Sequence, residues 1–177
     1  MKIRYYMISL LCLLTLPLQA QDTQLQKLTE AWRKLSARVT FAGRTGDFAD
    51  IKGRMFHLEL DGMKIWYDGE TLWNLREDEL YISRPDEQND FMPHHLADPV
   101  RHGFQVKETD GKIVMTKQQM TITIQLNGQG LPARIDIQSP DIALTVTPNA
   151  YGKRTLKTSD FRPDTSRMQG VEVIDMR

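Results

Sequence analysis

Cysteine is almost missing from this chain. The single Cys12 lies inside an apolar N-terminal run, so nothing after residue 20 can form a disulfide or a thiolate. Neither sign of charge is in excess. The 23 Lys and Arg balance the 23 Asp and Glu, which removes the electrostatic footprint of a nucleic-acid binder or of a protein held on an anionic membrane. No G-x-S-x-G, Walker loop, G-x-G-x-x-G or H-E-x-x-H occurs. N-x-S/T is absent as well, so no N-linked glycan is expected. Strands do not alternate with helices, which excludes a parallel nucleotide-binding sheet. No internal repeat, low-complexity stretch or linker divides the chain, and a chain of this length buries roughly two-thirds of its unfolded surface as one domain.

The N-terminal run reads as a targeting segment. Lys2 and Arg4 form a positive start, Tyr5 to Leu18 is apolar, and Leu18-Gln19-Ala20 places a small residue before Gln21. The run is too short for a comfortable bilayer span, and polar sequence comes at once after it, which disfavours a membrane anchor. Leu11, the neighbour of Cys12, is bulky where a lipid-modified cysteine wants a small residue. Residues 1–20 are therefore expected to be a cleaved signal peptide. Residues 21–177 are expected to be an exported, soluble, monomeric domain in a periplasm-like space.

What the chain does have is β pattern. Phe56 to Pro85 reads as successive short strands, turning at Asp61-Gly62, Asp68-Gly69 and Glu77-Asp78-Glu79. Phe56, Leu58 and Leu60 face one way; His57, Glu59 and Asp61 face the other. Before this meander, Leu25, Leu28, Trp32 and Leu35 mark an amphipathic helix from Gln24 to Ala37, capped by Asp22-Thr23. Strands at Val39–Phe41 and Phe48–Lys52 come after it.

Residues 84–103 interrupt the pattern. Gln88-Asn89-Asp90 resembles a cap, and Phe91, Met92, Leu96 and Val100 are apolar at helical spacing until Pro99. From Phe104 alternation returns, through Met120–Leu126, Ile135–Ile137 and Ile142–Val146, to a last strand at Tyr151–Asp160 and a tail. The expected fold is mainly β with a few helices (α+β): a curled antiparallel half-barrel of about ten or eleven strands, covered by short helices.

Catalytic chemistry has little to stand on. His94, Asp98 and His102 share helical spacing, but Pro99 breaks the helix that would gather a metal there. The histidines are expected to be solvated loop residues. Most carboxylates sit at turns, where turn chemistry accounts for them. No enzyme, metal or cofactor is expected.

Three segments carry a family resemblance. The first is G-D-F, M-F-H-L and W-Y-D-G-E-T-L-W, where Asp68 to Trp73 matches D-G-K-T-L-W with Glu70 in place of Lys. The second is Asp90-Phe91-Met92 with the residues next to it in the 84–103 interruption. The third is Phe161-Arg162-Pro163 with Gln169-Gly170-Val171-Glu172-Val173-Ile174-Asp175. Together they resemble the periplasmic outer-membrane lipoprotein carriers, the LolA family, over the whole exported chain. The resemblance implies an incomplete barrel whose mouth is covered by helices. It also implies a chaperone that ferries acylated lipoproteins from an inner-membrane release complex to an outer-membrane acceptor. By the same resemblance Phe56 stands at an aromatic position that affects cargo handling. Lys52 stands where the family has a cavity arginine that hydrogen-bonds the lid, with Arg54 as the alternative.

Two readings from different classes remain. In the first, an acyl-binding cavity lies between Phe41, Phe56, Leu58, Met92, Leu96 and Ile122. In the second, the same half-barrel is filled by its own side chains and acts as a structural or interaction module. Carriage of lipids other than lipoproteins is a variant of the first.

Overall fold

The computed structural model describes residues 23–86, 91–141 and 143–177. The expected signal peptide, the Gln88–Asp90 cap and Ile142 lie outside them. The described chain is mainly β, with one α-helix, α1 (Gln24–Arg33), and a 3-10 helix at Pro93–Ala97 that covers the sheets.

The strands form two sheets. The larger is built from β1 (Ser36–Phe41), β2 (Phe48–Lys52), β3 (Met55–Leu60), β4 (Met63–Tyr67), β5 (Leu72–Arg76) and β6 (Glu79–Ser83). Its edges are β12 (Pro148–Lys153), beside β1, and β13 (Glu172–Asp175), beside β6. The smaller runs in the order β11-β10-β9-β8-β7, from β7 (Gln105–Thr109) and β8 (Lys112–Lys117) through β9 (Met120–Leu126) and β10 (Pro132–Gln138) to β11 (Ala143–Val146). Among the described residues all pairings are antiparallel except β13 with β6, which is parallel.

Local chemistry explains the tight hairpins. At Asp61-Gly62, φ is 52° and 81°, the pair of positive angles that a two-residue turn needs to match strand twist. The small sheet uses Asp110-Gly111 in the same way. Thr23 caps α1: its Oγ1 accepts from the Gln26 amide at 3.1 Å, and Gln26 Oε1 accepts from the Thr23 amide at 3.0 Å. A second cap comes from β7, where the Glu108 carboxylate accepts from the amides of Gln24 (2.9 Å) and Leu25 (3.1 Å). On the other side, the turn after β9 touches α1 at Gly130, where a Cβ would lie 3.0 Å from the Lys27 carbonyl oxygen.

Three expectations are corrected. The helix stops at Arg33, not Ala37, because Ala37 and Val39 are buried on alternate positions of β1. Thirteen strands are present among the described residues, not ten or eleven. The strand expected at Tyr151–Asp160 is Pro148–Lys153, and the tail supplies a further one, β13. Both faces of the large sheet are covered. Ala49, Asp50 and Ile51 are consecutive in β2 and all buried. The chain after β12 lies over the face turned away from the small sheet, where its 3-10 helix Thr158–Phe161 packs on β3. Leu156 and Phe161 are buried there, outside the main core.

The same outer face carries a row of paired residues: Arg38, Asp50, His57, Trp66 and Trp73, side by side across β1 to β5. Arg38 grips the buried Asp50 through Nε (2.8 Å) and a terminal nitrogen (2.6 Å), and its guanidinium lies 3.8 Å from the centre of the Phe48 ring. A buried carboxylate without this fork would be costly, so the pair keeps the strand's polar residue compatible with a covered face.

Candidate ligand cavity

The inner faces of the two sheets do not meet fully. Between them lies an apolar cavity of about 230 Å³. Val39 and Phe41, Ala49 and Ile51, and Phe56, Leu58 and Leu60 form one wall from β1 to β3. Ile135 and Ile137 of β10 with Leu144 and Val146 of β11 form the facing wall. Trp32 of α1, Phe91, Pro93 and Leu96 close it from above. Alternation delivers these walls: in β3, β10 and β11 every second residue points inward. The one hydroxyl on the lining, that of Tyr151, donates to the Pro132 carbonyl at 2.7 Å, and burial pushes its pKa up. The lining thus offers dispersion contacts and no reactive group. Its size exceeds the ~150 Å³ of an apolar cavity that stays dry and takes benzene, and lies below the ~300 Å³ lower end of ordinary ligand sites.

Four of the six expected cavity residues line it: Phe41, Phe56, Leu58 and Leu96. Met92 and Ile122 do not; both are buried in the packed core. Ile122 points from β9 into the part of the interior that Leu28, Ile113, Met115 and Phe104 help to fill. The walls from β10 and β11 were not singled out from sequence. Their alternation was visible, but the sheet they would face was not.

The two latch candidates separate. Lys52 Nζ donates to the Leu156 carbonyl at 2.7 Å, on the segment that covers the outer face, so its bond does not reach the cover over the cavity. Arg54 stands beside that cover, and a terminal nitrogen lies 3.5 Å from the Tyr67 hydroxyl. Tyr67 in turn packs against Phe56, ring centres 5.7 Å apart.

The histidines are not solvated loop residues. His94 is 5% and His95 0% exposed, both on the 3-10 helix, with His102 beside them. His95 stacks on His102 with ring centres 4.2 Å apart, and His94 meets His95 edge-on at 4.7 Å. Burial, with neighbouring His94 and His102 adding to it, pushes the His95 pKa down to about 3. One ring nitrogen from each lies within 4.8 Å of the others. The arrangement nonetheless suits a metal poorly. His95 and His102 are stacked at 23°, so their in-plane lone pairs run nearly side by side rather than to a common point. His95 Nδ1 also accepts from the Met92 amide at 3.3 Å, which leaves the proton on Nε2.

The two ends of the D-G-x-T-L-W and F-R-P segments do meet. Asp68 Oδ1 accepts from the amides of Glu70 (3.0 Å) and Thr71 (2.9 Å), an Asx turn. Asp68 Oδ2 accepts from Arg162 Nε at 2.8 Å. Burial alone would push the Asp68 pKa up; the two amides and Arg162 outweigh it and hold the carboxyl below its usual range. This contact pins the covering tail to the meander. No family model and no curated protein matches the chain.

Proposed function

We propose that this protein is a non-enzymatic carrier that shelters acyl chains in the space between its two sheets. The observation that carries the reading is the cavity: eighteen residues line it, and its only hydroxyl is already bonded. Each methylene moved from water into such a lining gains about 0.8 kcal/mol, so a long acyl chain gains on the order of 10 kcal/mol without covalent chemistry. The two sheets are then the walls of one curled, incomplete barrel of the LolA kind, with Trp32, Phe91, Pro93 and Leu96 as its cover. The cargo is the acyl part of lipoproteins, or of other lipids. It is taken from an inner-membrane release complex and handed to an outer-membrane acceptor across a periplasm, with the signal peptide removed and the carrier monomeric.

One observation favours the filled-module reading. The interior beneath α1 is occupied by Leu28, Ile113, Met115 and Ile122, so only part of the space between the sheets is open. Organic extraction of protein purified from the periplasm, followed by mass spectrometry, and titration with a fluorescent acylated peptide separate the two. Extractable lipid and saturable binding displaced by lipopeptide are expected. Folded protein with neither would establish the filled module instead.

A further inference from the structure

A small recess of about 50 Å³ abuts the apolar cavity. Phe41, Leu60, Leu144 and Val146 line both spaces. The rest of the recess is bordered by Ala42 and Arg44, in the turn after β1, and by Thr145 and Thr147, at the end of β11. Ala42, Thr145 and Thr147 are exposed, so this border lies at the surface.

Strand register shows which end of the cavity this is. Ile51 pairs with Ala37 and with Phe56, whereas Phe48 pairs with Thr40 and with Glu59. Phe56 therefore lies toward α1, and Leu60 toward the turn after β1. Phe56, Leu58 and Leu60 succeed one another along a wall about 13 Å long. The end under α1 is shut: Trp32 is 4% and Leu96 1% exposed, and the 3-10 helix Pro93–Ala97 packs on α1. The other end is built differently. β11 is the edge strand of the small sheet, and its cavity-lining Leu144 and Val146 are still partly exposed. An inward side chain of an edge strand has no neighbouring strand to cover its flank, so apolar surface runs there from the lining to water. The rim itself is braced. Arg44 pairs with Asp61 and lies 3.6 Å from Asp47, and the Ala42 amide donates to the Thr147 carbonyl at 2.8 Å.

We infer that this recess is the mouth of the cavity. The acyl chain lies along β3 with its methyl end against Trp32 and Leu96. The carboxylate, ester or amide that joins the chain to the rest of the amphiphile emerges between Ala42 and Thr147. The methylenes are then buried while the polar end keeps its water, so neither pays for the other's position. The helical cover is the closed end of the cavity and not its door, and the head group stays outside the protein. The inference rests on the acyl-carrier reading and adds a direction to it.

The test is photo-cross-linking of the purified, unaltered protein with two palmitic acid probes, one carrying a diazirine at the methyl end and one carrying it beside the carboxyl. Peptide mass spectrometry locates the insertions. The methyl-end probe is expected to label peptides that contain Trp32 or Pro93–Ala97, and the carboxyl-end probe those that contain Phe41–Arg44 or Ala143–Pro148, each severalfold over the other. A bulky side chain at the rim gives a second reading. Ala42→Trp, at an exposed turn position, should slow acyl association and dissociation alike, severalfold, and leave the affinity unchanged. The opposite labelling pattern, or the same pattern from both probes, would overturn the inference and leave the carrier reading standing. Rates in Ala42→Trp as fast as those of the parent would also count against the mouth. No labelling that unmodified palmitic acid displaces, from either probe, would instead bring down the carrier reading.

Discussion

Phe56 carries the most information about the cavity. Its ring is 6% exposed and lines the cavity. Phe56→Glu places a carboxylate there with no cation on the lining, so acyl binding should fall by more than about tenfold, and folding should weaken by a few kcal/mol as well. Leu58→Gln is the cleaner companion, because Leu58 is only half buried. It should cost about 1–2 kcal/mol of stability and still reduce binding severalfold. Denaturant titration beside a fluorescent-acyl titration reads both quantities. Unchanged acyl affinity in both folded variants would remove the cavity from the binding reaction.

His95 makes a prediction about pH. Its ordinary pKa is near 6.5, and in the folded protein it is pushed down to about 3. Above the ordinary value the ring is neutral in both states and contributes no pH dependence. Below it the unfolded chain takes up a proton that the folded one refuses. Stability should therefore fall as pH drops from 6.5 toward 3, by up to about 1.4 kcal/mol per unit from this residue. His57, also pushed down mainly by burial, acts in the same direction. His95→Asn keeps an acceptor for the Met92 amide and removes the titration. Its urea midpoint should decline less steeply between pH 7 and pH 5 than that of the parent. Parallel declines would show that His95 titrates alike in both states.

At the scale of elements, the segment after β12 is the part whose role changed most. Sequence resemblance put Lys52 on the cover over the cavity; the structure gives its ammonium to Leu156, on the opposite side of the sheet. Lys52→Met should therefore raise amide exchange in the segment around Leu156 and the 3-10 helix Thr158–Phe161, and leave the 3-10 helix Pro93–Ala97 as protected as before. Faster exchange at Pro93–Ala97 alone would restore the latch role. The burial of the histidines was hidden in the sequence for a related reason. Two adjacent histidines next to prolines have the composition of a loop, and only the packing of the 3-10 helix onto α1 and Tyr67 makes that loop an interior one.

For the whole molecule, the two sheets leave edges, and the chain protects one with its own end. The Glu172 amide donates to the Asp78 carbonyl at 2.7 Å and the Met176 amide to the Ile82 carbonyl at 2.8 Å, so β13 occupies the free side of β6. An uncovered strand edge templates association. Ending the chain at Gly170 should leave the cavity intact but increase self-association, measurable by sedimentation at rising concentration. A truncated chain as monomeric as the parent would show that β6 needs no cover.

The alternation of Phe56, Leu58 and Leu60, the Asp-Gly turns and the capping of α1 were all determined by sequence alone, because each depends on neighbours within a few residues. So were the mainly β class and the existence of an apolar inner face. The sequence could not decide which inner residues meet empty space and which meet one another. Ile122 and Ile135 have the same pattern, yet one is packed beneath α1 and the other lines the cavity. Nor could it place the Pro148–Lys153 strand, whose proline and glycine are tolerated because it sits at a sheet edge. The meeting of Phe41, Leu60 and Leu144 at a recess beside the cavity was equally out of reach. Those outcomes come from how two sheets, a helix and a covering tail are brought together across long stretches of chain, where burial and close packing, rather than local preference, select the arrangement.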